Sequence, residues 1–349
     1  MNATQQQPAS TAPSTPPAHV SPGPFLTHMP IGSFAMVMGM SGLSLAWSRL
    51  GHTGFMPELA HAISAGVGVF AMAVFVALLT IYTAKWSRNH KLVYDEWQHP
   101  VKSGFFAAVS ISFALLGAVS TVHFPALAMP LWGTGALLQV VAMIMVLNAW
   151  MHRETLQPAH ATPVWFIPAV GNVVMPLAGV KLGMMEVSWW FFGVGMLFWL
   201  VLLTIVMHRL LFVQPPLPAR LMPTLFIFLA PPAVGFSSWL LLTGQAQPSA
   251  IPLDMFGQLL YGLAFFFVIF LLSQVHRFAK LPFFMSWWAF GFPSAAFTSA
   301  SLLYGQVVPG AWVIQWVGLV AVAATSLLIL FLTLRTLIAI ARNEPQFID

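Results

Sequence analysis

The 349-residue sequence contains no cysteine, so neither disulfides nor thiolate metal sites are open to it. Charge is nearly as scarce: 13 Lys and Arg with 8 Asp and Glu make up 6% of the chain, against roughly 25% in an average soluble domain. With 59% hydrophobic residues, that leaves an integral membrane protein. None of the eight acids, Glu58, Asp95, Glu96, Glu154, Glu186, Asp254, Glu344 and Asp349, falls in the middle of a long apolar run. Proton relays and cation filters place carboxylates at depth, so this spacing argues against both. No Arg or Lys lies mid-run either, which argues against a tight clamp for a dianion. There is no GxxxxGK[ST] phosphate loop and no HExxH zinc motif. No enzymatic activity, cofactor, metal or nucleic-acid partner is therefore expected.

What is present is a series of long apolar windows. Ten can cross a hydrocarbon core of ~30 Å, near 30–50, 59–84, 104–121, 124–151, 163–182, 187–213, 219–243, 253–279, 283–305 and 311–341. The expected organisation is a disordered cytoplasmic tail over 1–28, a ten-helix transmembrane domain over 29–342 and a short cytoplasmic tail over 343–349. Residues 1–28 are rich in Pro, Ser, Thr, Ala and Gln, and they lack the basic and apolar regions of a signal peptide. Eleven of the 13 basic residues fall on one side of the windows, with only Arg49 and Lys181 on the other. The positive-inside rule then puts both termini in the cytoplasm of a multi-pass cell (inner or plasma) membrane protein.

Odd and even windows differ in kind. Even windows, such as GVGVFAMAVFVALLTIY, run as uninterrupted bulky apolar stretches suited to lipid. Odd ones carry Gly39 and Gly42, Pro168 and Pro176, Pro231 and Pro232, and Gly291 with Pro293; the third window has glycine but no proline. A proline inside a helix costs ~3 kcal/mol, and broken backbone at membrane depth is tolerated where protein or a water-filled cavity surrounds it. Odd windows start near 30, 104, 163, 219 and 283, a recurrence that suggests five hairpins, each with an irregular inner helix and a regular outer one.

The stretches MPIGSFAMVMGMSGLSLAW, WFIPAVGNVVMPLAG and FFMSWWAFGFPSAAFTSA resemble the tellurite-resistance/dicarboxylate transporter family, which includes plant slow anion channels and a bacterial tellurite-resistance channel homologue. The resemblance covers about 30–341. It implies an all-α membrane protein of ten helices in five hairpins around a central pore, the odd helices innermost, assembled as a homotrimer. It also implies anion permeation past a phenylalanine from the ninth helix, which falls here on Phe292, with Phe290 as runner-up. Family members include C4-dicarboxylate (malate) carriers and sulfite or tellurite efflux transporters, so the resemblance leaves channel and coupled carrier both open.

Residue chemistry adds that Gly291 and Pro293 would hold the Phe292 ring on a locally distorted backbone. A ring in a narrow apolar bore blocks hydrated ions by dewetting. Candidate polar lining residues on odd windows are Ser41, Ser44, Ser110, Ser112, Asn172, Ser237, Ser238, Thr298 and Ser299, whose donors would partly replace the water of small anions. An uncharged lining cannot offset a large desolvation cost. Flux through reconstituted protein should therefore follow ease of anion dehydration and exclude potassium; potassium and chloride currents of equal size would contradict this.

Overall fold

The structure, a computed structural model, describes residues 29–247, 252–342 and 344. The expected tails, 1–28 and all of 343–349 but Glu344, lie outside these residues. Each sequence window coincides with a helical stretch: α1 Ile31–Gly51, α2 Pro57–Arg88, α3 Lys102–His123, α4 Pro125–His152, α5 Pro163–Gly179, α6 Met185–Phe212, α7 Ala219–Leu242, α8 Met255–Leu272, α9 at 285–307 and α10 Trp312–Ala341. No strand occurs among the described residues. Eight of the ten are long and apolar enough to cross a membrane. The exceptions are α5, which is short and broken at Met175, and α9, whose α-helical part is 17 residues long.

Burial separates inner from outer helices. In α1, α3 and α7, 78%, 67% and 78% of the apolar window is enclosed by protein, against 28–33% in α2, α4, α6, α8 and α10. Nearly all of α5 and most of α9 are buried as well. The outer helices expose Phe70, Leu137, Ile144, Leu197, Leu200, Phe266, Ile269, Leu327 and Leu330. Apolar exposure on that scale requires a hydrocarbon neighbour. The molecule is therefore a multi-pass membrane protein with five enclosed segments inside a lipid-facing ring.

All five inner segments open with 3-10 geometry before turning α-helical: Ile31–Phe34, Lys102–Phe106, Pro163–Trp165, Ala219–Leu229 and Met285–Phe290. This relocates the expected distortion. Pro168, Pro231, Pro232 and Pro293 each fall within the first three residues of the α-helical part. There a missing N–H breaks no i−4 bond of the α-helix, so these prolines mark the handover rather than kink an interior. Only Pro176 interrupts a helix, and neighbours serve the carbonyls around it: Ser238 Oγ donates to Val173 O at 2.7 Å and Trp132 Nε1 to Met175 O at 2.9 Å. On the outer side, α4 contains Pro130, so the even helices are not wholly free of proline.

Gly291 does not loosen the turn before Phe292 as expected. Its φ and ψ of −62° and −66° are helical, and a Cβ there would lie 3.2 Å from the Gly39 Cα and 3.0 Å from Ile329 Cδ1. Gly39 and Gly291 are bare because α1 and α9 cross backbone against backbone. At one end of the bundle, Lys85 ties three segments: its Nζ donates to Met29 O at 2.9 Å and pairs with Glu96 Oε1 at 3.1 Å on the short helix His90–Gln98. The described chain starts and ends on this side, here termed the terminal face. Gly39→Val should force the crossing apart, costing about 1–3 kcal/mol, and lower the melting temperature of detergent-purified protein measured by tryptophan fluorescence.

Candidate functional site: an axial path of two chambers

Two chambers lie along the inner helices. The larger, about 1030 Å³, is on the opposite face and draws walls from every inner segment: Gly42, Leu45 and Arg49 of α1, Ala118 and Val122 of α3, Leu177 of α5 with Val180 and Lys181 just beyond it, Val234, Ser237 and Leu241 of α7, and Phe292, Ala295, Ala296 and Ser299 of α9. The smaller, about 270 Å³, is on the terminal face among the 3-10 openings and includes Ile31, Ala35, Lys102, Phe105, Thr162, Arg220, Met285 and Ala289. On α1, Ala35 of the lower chamber and Gly42 of the upper are seven residues apart, about 10 Å along a helix rising 1.5 Å per residue.

Helical stepping identifies what fills that interval. Residues 289, 292, 296 and 299 advance by three and four and so share one face of α9; Ala289 lines the lower chamber, Ala296 and Ser299 the upper, and Phe292 stands between. On α1 the same stepping from Ala35 to Gly42 passes through Met38, and on α3 from Phe105 to Ala118 it passes through Ala108, Ile111 and Leu115. Phe292, Met38, Ile111 and Leu115 are all buried. The bar between the chambers is thus apolar. The ring of Phe292 lies flush against α1, where a Cβ on Gly42 would sit 3.3 Å from its Cδ2. Gly42 is the space the ring occupies.

Phe290, two residues away, enters neither chamber. It packs into an aromatic cluster with Phe226, Trp287 and Phe278 at ring-centroid separations of 4.4, 5.4 and 5.5 Å. Of the polar candidates, only Ser237 and Ser299 line a chamber. The others mostly face neighbouring helices. Ser44 Oγ donates to Ser64 O of α2 at 2.7 Å, Ser110 Oγ to Gln139 Oε1 of α4 at 2.7 Å, and Ser112 Oγ back to Ala108 O at 2.7 Å. Ser238 reaches α5, as above, and Thr298 Oγ1 lies 3.0 Å from Thr325 Oγ1 of α10. Asn172 Nδ2 is spent on Pro168 O and Ala169 O of its own helix at 3.0 and 3.1 Å. Ser41 Oγ is enclosed without a partner among the described residues. A buried hydroxyl must find an acceptor, and the nearest carbonyl or side chain is usually on the adjoining helix. Being on an inner helix is therefore a poor guide to facing its axis.

The residues that sequence reasoning missed are the cations. Arg49 and Lys181 both line the upper chamber, together with Ser48, His52, Gln306 and Gln315. The signal was present: these two are the only basic residues set apart by the charge asymmetry of the loops. Burial among the chamber walls, and after it the charge of Arg49, hold the Lys181 ammonium below the ordinary lysine value. The lower chamber is bordered by His99, Lys102, His160, Arg209 and Arg220. Among the described residues no Asp or Glu lines either chamber.

Five enclosed helices carrying two chambers bordered by cations, with buried apolar residues between them, are the architecture of a membrane transport protein. The matches to known proteins narrow this class. A family profile described as SLAC1, voltage-dependent anion channel, fits residues 28–337, and the chain belongs to that family. The S-type anion channel SLAH3 of Arabidopsis thaliana is 29% identical over 296 residues, covering 82% of this chain and 44% of that protein. An uncharacterized transporter of Methanocaldococcus jannaschii is 27% identical, covering 78% of this chain and 83% of its own length. The tellurite resistance protein TehA homolog of Haemophilus influenzae is 25% identical, covering 83% and 86%. The chain thus spans about half the length of the plant channels it matches and most of the microbial ones.

Because burial and the charge of Arg49 hold Lys181 below the usual lysine value, its charge is lost as pH rises before a free lysine would titrate near ~10.4. Anion uptake from the opposite face should accordingly fall on alkalinisation, and Lys181→Arg, which cannot be neutralised in that range, should flatten the profile in a liposome flux assay.

Proposed function

We propose that this chain conducts small inorganic anions across a cell membrane along the axis of α1, α3, α5, α7 and α9, with the Phe292 ring as the closing element. The observation that carries this reading is the pair of cation-lined, acid-free chambers separated by an apolar bar at Phe292. Cations at each entrance raise the local anion concentration without fixing an ion at depth. The uncharged bar leaves dehydration as the remaining barrier. All ten helical segments cross the bilayer, the terminal face is cytoplasmic, as the loop charges require, and three copies assemble, each with its own path. Transport rather than catalysis is the role.

The alternative, a proton-coupled carrier for C4-dicarboxylates such as malate or an efflux carrier for sulfite or tellurite, is favoured by one feature: Arg49 and Lys181 together could meet the two charges of a dianion. Against proton coupling, no carboxylate lies on the path to relay protons. Uphill malate uptake driven by a pH gradient at zero voltage would overturn the channel reading in favour of the carrier.

Phe292→Ala should clear the bar and raise chloride or nitrate efflux from proteoliposomes on the order of tenfold, equivalent to ~1.4 kcal/mol off the barrier. Phe290→Ala, which only thins an aromatic cluster, should lower thermal stability instead. Unchanged efflux in the first variant with a rise in the second would move the closing element to Phe290.

A further inference from the structure

The walls of the lower chamber are largely apolar, from Ile31, Val101, Phe105, Leu221, Met285 and Ala289 among others, and its charged and imidazole border carries no carboxylate among the described residues. His99 Nδ1 accepts from the backbone amides of Val101 and Lys102 at 3.1 and 3.2 Å, and His160 Nδ1 accepts from the Gln157 amide at 3.1 Å. With Nδ1 so occupied, each neutral imidazole carries its proton on Nε2 and is a donor there. Lys102 and Arg220 add two permanent charges with no carboxylate within salt-bridge distance among the described residues. Arg209, also at the border, is already engaged: it donates to the backbone oxygens of Ala159, Val213 and Pro215 at 3.3, 3.3 and 2.9 Å, so it shapes the wall and contributes its charge.

Two imidazole donors and two cations without a carboxylate partner lack one thing, a multivalent acceptor. At about 270 Å³ the chamber holds roughly nine water volumes of ~30 Å³ each, room for a tetrahedral oxyanion with part of its shell. A halide offers one charge and no directed lone pairs to this array; a divalent oxyanion offers two charges and four acceptor oxygens. Just above it the path narrows to the bar at Phe292, which such a strongly hydrated ion cannot pass without losing its water.

We propose that the terminal-face chamber is a binding site for a divalent tetrahedral oxyanion of the sulfate or phosphate class, held at its cationic border by Lys102, Arg220, His99 and His160, and that the bound oxyanion plugs the anion path from that face. The plugging half rests on the axial path proposed above; the binding half does not. A free anion is the occupant, because the 3-10 openings of α1, α3, α7 and α9 form most of the chamber's helical wall, with Arg209 of α6 as the described contribution from a lipid-facing helix.

The first test is thermal unfolding of the full-length detergent-purified protein in sodium sulfate against sodium chloride at matched ionic strength. Sulfate should stabilise the wild type, and the K102Q/R220Q double variant should need about tenfold more sulfate for the same shift. Equal stabilisation of the wild type and the double variant would mark a general salt effect and overturn the site. In proteoliposomes of phosphatidylcholine, sulfate added at the terminal face should slow chloride efflux and sulfate at the opposite face should not. Block from both faces, or sulfate itself passing as fast as chloride, would overturn the plug. Protection by phosphatidic acid in the bilayer and none by free sulfate would transfer the site to a lipid headgroup and overturn the free-anion assignment. Absence of chloride efflux from unblocked wild type would instead sink the anion-path reading, leaving the binding result to stand or fall separately.

Discussion

At membrane depth every backbone polar group must find a partner within the protein, because hydrocarbon supplies none. The arrangement of inner and outer helices follows from that constraint. Irregular backbone is confined to the inner segments, where 3-10 openings and the break at Met175 and Pro176 are enclosed by other helices. The outer ring is built of long α-helices whose backbone bonds are satisfied internally and whose Phe, Leu and Ile side chains meet lipid. Where the inner backbone gives up a bond, a neighbour supplies one: Ser238 and Trp132 converge on the broken part of α5.

That solution also shapes the two chambers and the interval between them. Close crossings such as Gly39 against Gly291 draw the inner helices together until their side chains meet at mid-depth. Toward either end, small residues such as Ala35, Gly42, Ala118, Ala295 and Ala296 leave room, and chambers form. The Phe292 ring lies between the chambers against Gly42, where an added Cβ would crowd both Ala295 and the ring. Charge is kept at the ends. Arg49 occupies the last turn of α1, Lys181 follows α5, and the lower-chamber cations lie in loops or in the end turns of helices, away from the middle of the bundle.

The fold class was legible because it rests on quantities that a sequence displays directly: long apolar windows, scarcity of charge and the placement of Pro and Gly. The alternation of broken and intact windows anticipated which helices are enclosed, including α3, which lacks proline yet shares the 3-10 opening of the others. The polar lining was much less legible. Ser44, Ser110, Ser112, Asn172, Ser238 and Thr298 lie on inner helices, but their hydroxyls and amide serve helix contacts or their own backbone. Trp132 and Trp288, near window ends, are likewise buried hydrogen-bonding residues, donating to Met175 O and to Thr336 Oγ1.

From the sequence alone came the membrane class, the approximate helix limits, the grouping into inner and outer sets, and Phe292 as a residue beside the turn at Pro293. Composition and periodicity carry these because burial in lipid acts on each segment as a whole. Tertiary structure alone decided which face of each inner helix meets the axis, that Gly291 serves a helix crossing rather than a flexible turn, and that Arg49 and Lys181 share one chamber while His99, Lys102, His160 and Arg220 share another. A rotation of 100° per residue separates a lining side chain from one buried against a neighbour. That angle is set by how all ten helices pack together.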